Sequence, residues 1–80
     1  MTEPEQLRVF VNGTALLVPH GATALDAVRQ FDAALAGAVG AGERAVTDSR
    51  GLPVAPASAV SGGAVYRVVS ARALRDQDAT

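Results

Sequence analysis

The chain has 80 residues, which is room for one hydrophobic core and not two. With 49% hydrophobic and 19% charged residues it can bury that core, and it falls outside the intrinsically disordered class. A formal charge of −1 argues against nucleic acid as a partner, and the absence of cysteine excludes a disulfide framework and thiolate-held zinc or iron–sulfur centres.

All seven basic residues are arginine and alanine is abundant, a composition that reads as GC-rich bacterial coding sequence. The opening "MTEPEQLR" is acidic and has no apolar h-region, so no signal peptide is expected. No run approaches the roughly 20 apolar residues of a membrane span. The expected location is therefore the cytoplasm. Residues 1–6 read as a flexible polar arm, residues 7–71 as a single domain, and residues 72–80 as a polar tail.

Leu7 to Val11 is a β-rich run, and Asn12-Gly13 is a hairpin signal because both residues tolerate positive φ. Thr14 to Val18 is the return strand. Closure at Asn12-Gly13 sets Val11 opposite Thr14, Phe10 opposite Ala15 and Arg8 opposite Leu17. Side chains alternate along a strand. Leu7, Val9, Val11, Leu16 and Val18 then form a wholly aliphatic core face, and Arg8, Phe10, Ala15 and Leu17 form the other.

Pro19-His20-Gly21 ends the strand. Thr23 suits a helix N-cap, with Asp26 as its capping-box partner. The spacing of Leu25, Val28, Phe31 and Leu35 predicts one helix that ends near Gly37. Leu25, Val28 and Leu35 are its buried stripe, with Phe31 at the edge, while "GAVGAG" (residues 37–42) serves as a flexible connection.

Arg44 to Thr47 is a short strand, "DSRG" (residues 48–51) a turn, and Leu52 to Val54 a return kept at an edge by Pro53 and Pro56. Gly62-Gly63 turns the chain into a strand from Ala64 to Ala71. Arg67 cannot lie unpaired in an apolar core. Val65, Arg67 and Val69 therefore face outward, and Ala64, Tyr66 and Val68 inward. A helix crossing the sheet lets the first and last strands pair in parallel. The expected class is α+β, a mixed four- to five-stranded sheet with one helix on one face.

The stretches "VFVNGTALLVPHGATALDAV", "AVTDSRGLPV" and "VSGGAVYRVV" cover nearly all of residues 7–70, and they resemble the β-grasp (ubiquitin-like) superfamily. The pattern NG…VPxGATxxDxV is most similar to its sulfur-carrier branch, the ThiS-like and MoaD-like small proteins. The resemblance implies that the last strand lies beside the first, between it and the third. Sulfur carriers end in Gly-Gly, whose carboxylate is adenylated and converted to a thiocarboxylate. This chain ends "DQDAT", and Gly62-Gly63 precedes the last strand, so the expectation is a carrier scaffold without the carrier tail. The ferredoxin form of the fold needs thiolates that this chain lacks.

The residues with chemistry are few. His20 lies in a turn with no partner specified by sequence, and reads as an exposed loop histidine. Turn formation explains Asp48 and Ser49. "GAVGAG" lacks the Lys-Ser/Thr of a phosphate loop. No catalytic residue, metal site or cofactor is expected. The outer sheet face is more informative. Parallel pairing gathers Arg8, Phe10, Leu17, Val65, Arg67 and Val69 there, an apolar centre with two arginines of the kind that interfaces favour. Ubiquitin-like proteins commonly bind partners through this face. The expected function is a small adaptor or accessory subunit that docks on a larger protein. A divergent sulfur-carrier-like protein of cofactor biosynthesis and a small-ligand-binding domain are the alternatives.

Overall fold

A computed structural model describes residues 6–72. The chain runs β1 (Gln6–Val11), β2 (Thr14–Pro19), α1 (Ala24–Phe31), α2 (Ala33–Gly40), β3 (Arg44–Thr47) and β4 (Val65–Ser70). The strands form one mixed sheet in the order β2-β1-β4-β3, with β1 and β4 parallel and the other pairs antiparallel. The class is α+β as expected, with four strands.

The hairpin has the expected register, with Val11 opposite Thr14, Phe10 opposite Ala15 and Arg8 opposite Leu17. Asn12 and Gly13 adopt φ of 51° and 84°, the paired positive values that match a two-residue loop to strand twist. Gln6, expected in the polar arm of residues 1–6, belongs to β1. The remainder of that arm and residues 73–80 of the expected tail lie outside the described residues.

Two helices replace the single expected one. Asp32 leaves helical geometry (φ −161°, ψ 111°) between them. Its N–H donates to the Val28 carbonyl and closes α1, while its Oδ1 accepts from Ala34 and Leu35 N–H and opens α2. The sequence spacing ran across this break, so Leu35 lost its phase and is only half-buried, as is Leu25. The fully buried residues of α1 are Ala24, Ala27 and Val28. Nor does the helix stop at Gly37. It continues to Gly40, and the stop lies at Gly42, whose φ is 82°. Gly42 N–H donates to Val39 O and Glu43 N–H to Ala38 O, a Schellman closure that puts glycine where the left-handed conformation is required.

Both helices pack on one face of the sheet. The core is seven valines, three alanines and Tyr66, including Val9, Val11 and Val18 from the hairpin and Val46 from β3. Leu52 to Val54 returns along β3 without forming a regular strand. Val54 N–H donates to Val46 O, and Pro53 makes an isolated bridge with Thr47.

Candidate interaction surface

The register and the alternation of side chains place the six singled-out residues on the sheet face opposite the helices. Phe10 sits across from Ala15 on one side and Val65 on the other. Arg8 lies opposite Leu17, Val69 opposite Ala45, and Arg67 opposite Thr47. Phe10, Val65 and Val69 are half-buried by these neighbours, and Arg8 and Arg67 are exposed. Leu17 is 50% exposed, one of two large hydrophobic side chains so open to solvent among the described residues. Thr47 is one that sequence reading missed. It shares this face by register yet is buried, with Arg67 across one side and Pro53 across the other. The signal was Pro53 returning along β3.

Arg29 and Arg50 are engaged locally, with Arg29 Nη1 at 3.0 Å from Asp26 Oδ1 and Arg50 Nη2 at 3.1 Å from Asp48 Oδ2. The Arg29 pair is exposed and the Arg50 pair is exposed at the arginine and half-buried at Asp48, so both contribute little to stability. Among the described residues, neither Arg8 nor Arg67 has such a counter-ion. The outer face is therefore apolar along its middle and carries, among the described residues, positive charge on β1 and β4 with no salt-bridge partner.

The sheet edges are less open than a free strand pair would be. Gln30 Nε2 donates to Leu17 O at 2.7 Å, which occupies part of the β2 edge. Val54 occupies part of the β3 edge. Both devices reduce the backbone available for pairing with another strand.

The N-terminus of α1 offers no donors to an anion. Ala24 N–H donates to Ser58 O and Leu25 N–H to Pro56 O. Asp26 N–H donates to Thr23 Oγ1 at 3.1 Å, and Thr23 N–H returns to Asp26 Oδ2 at 3.0 Å, completing the capping box. The first-turn donors are thus spoken for. The Thr23 backbone bond, with further help from Thr23 Oγ1 and Arg29, holds the Asp26 carboxyl below its ordinary value. Asp48 is lowered in the same way, first by the Leu52 N–H and then by Arg50. These are turn and cap carboxylates. Burial pushes the Tyr66 hydroxyl up, so it remains protonated at neutral pH.

An open cavity of about 470 Å³ lies beside α2, lined by Asp32, Leu35, Ala38, Glu43, Arg44 and Ser70 among others. Asp32 Oδ1 is already committed to the cap of α2. His20 is exposed in its turn, and no three histidine or acidic side chains come together among the described residues. No helix of the described residues is long and apolar enough to cross a membrane. Gly62-Gly63 lies in the turn before β4, where Gly63 N–H donates to Arg8 O at 2.7 Å. Comparison with protein-family models, with curated proteins and with solved structures finds no match.

Proposed function

We propose that this chain is a non-catalytic β-grasp module that docks on a larger protein through its outer sheet face. The observation that carries the reading is the face itself: Phe10, Leu17, Val65 and Val69 form an apolar strip, and Arg8 and Arg67 add charge without a described counter-ion. Arginine beside half-exposed apolar side chains suits the rim and centre of a protein interface. The complementary partner has an apolar patch bordered by carboxylates, because Arg–carboxylate pairs form bidentate contacts. The sheet order β2-β1-β4-β3, with a parallel central pair, supports the β-grasp part of the proposal.

The sulfur-carrier alternative meets a physical obstacle at its one Gly-Gly. Cleavage after Gly63 would remove β4, which pairs with both β1 and β3 and would leave the sheet in two pieces. Native mass spectrometry of the tagged chain isolated from its own host tests the reading. A stoichiometric non-covalent complex for the wild type, lost in Arg67→Glu, is expected. A chain shortened to a C-terminal glycine, or one carrying a thiocarboxylate, would establish the carrier instead.

A further inference from the structure

Asn12 does two jobs at once. It is the first residue of the β1–β2 turn, in the left-handed region at φ 51°, and it is exposed. It also ends the parallel ladder. Phe10 N–H donates to Ala64 O, Asn12 N–H donates to Tyr66 O at 3.0 Å, and the chain then turns away toward β2. The next donor on β4, Val68 N–H, has no β1 carbonyl to meet. The Asn12 side chain takes that place, and its Oδ1 accepts from Val68 N–H at 2.9 Å. A carboxamide therefore extends the β1–β4 pairing past the end of β1.

The following residue is Gly13, with φ 84° and open space where a Cβ would stand. No side chain of its own shields its backbone nitrogen. Asn-Gly is the sequence in which that nitrogen, once deprotonated, most readily attacks the side-chain carbonyl carbon. The Cγ–Nδ2 bond breaks, ammonia leaves with the proton, and a succinimide forms. Solvent water then opens either imide bond and gives aspartate or isoaspartate. Ring closure needs the carboxamide rotated onto Gly13 N, which pulls Oδ1 off Val68 N–H. The reaction and the ladder contact compete for the same side chain.

We propose that Asn12 is a deamidation site gated by its hydrogen bond to β4, and that conversion to isoaspartate unlatches the hairpin from β4. The aspartate product keeps an acceptor for Val68 N–H. The isoaspartate product adds a methylene to the backbone of the turn and misplaces the acceptor. The gating rests on local opening of the latch. It is independent of what the outer face binds.

The test uses the unmodified chain, aged in native buffer and in urea, with products at Asn12 resolved by peptide mapping and mass spectrometry. Conversion in native buffer should be roughly fivefold or more slower, the factor that loss of one net hydrogen bond sets. The Val68 amide should exchange slowly in the unmodified chain and in Asn12→Asp, and quickly in the isoaspartate fraction. Equal rates in the two buffers, no conversion in urea, or an isoaspartate fraction with Val68 still protected would each overturn the proposal.

Discussion

Single side chains at three turns and caps close the ends of this fold. Thr23 and Asp26 satisfy each other's backbone donors at α1, Asp48 Oδ1 gathers the Arg50 and Leu52 N–H groups at 2.8 and 3.0 Å, and Asn12 completes the ladder. The two aspartates are held below the ordinary value of 3.8. A carboxylate with a lowered folded pKa contributes stability that is present above the unfolded value and lost as pH falls through the folded one. Thermal melts should therefore show stability declining below about pH 4, and Asp26→Asn with Asp48→Asn should flatten that decline. Thr23→Ala should cost about 1 kcal/mol, read by urea denaturation. The capping box was legible because its two residues are close in sequence. The Asn12–Val68 bond was not, because 56 residues separate the partners and only the assembled sheet joins them.

At the scale of elements, the turn and register of the hairpin were read correctly, with each strand one residue longer at its outer end (Gln6 and Pro19), whereas the helical region was not. Asn12-Gly13 admits one tight turn, and alternation then dictates the register and both faces. From Ala24 to Gly40 the apolar spacing permits a continuous helix, and propensity alone does not reveal that Asp32 prefers to cap. The short side chain of Asp32 competes for backbone donors, which favours a cap over a helix interior. Asp32→Ala should cost about 1 kcal/mol by removing the acceptor for Ala34 and Leu35 N–H. Gly42→Ala should cost about 1–2 kcal/mol because its φ of 82° is strained for a residue with a Cβ. Gly37→Ala should be neutral or stabilising, since Gly37 is helical, exposed and has open space around it. Urea midpoints for the three variants check this ordering. If Gly37→Ala destabilises as much as Gly42→Ala, the helix does not end where the Schellman closure puts it.

At the scale of the whole molecule, a core built from valine and alanine is thin. Val28→Ala should cost about 2 kcal/mol in urea, since Val28 is fully buried against the sheet. Small domains have little stability in reserve. Association through the outer face would add stability by binding the folded state alone. The composition of that face was legible from strand alternation and one electrostatic argument about Arg67. The burial of Thr47 was not, because it depends on Pro53 closing alongside β3.

Docking through the outer face is best tested by arginine footprinting of the chain in complex with the partner it retains from its host. Lysine is absent, so a dicarbonyl reagent reads the described side-chain cations as arginines alone. Arg8 and Arg67 should be protected in the complex and reactive in the free chain, while Arg29 and Arg50, each tied to its own aspartate, should react equally in both. Protection of Arg29 or Arg50 with Arg8 and Arg67 still reactive would put the partner on another surface and contradict the account.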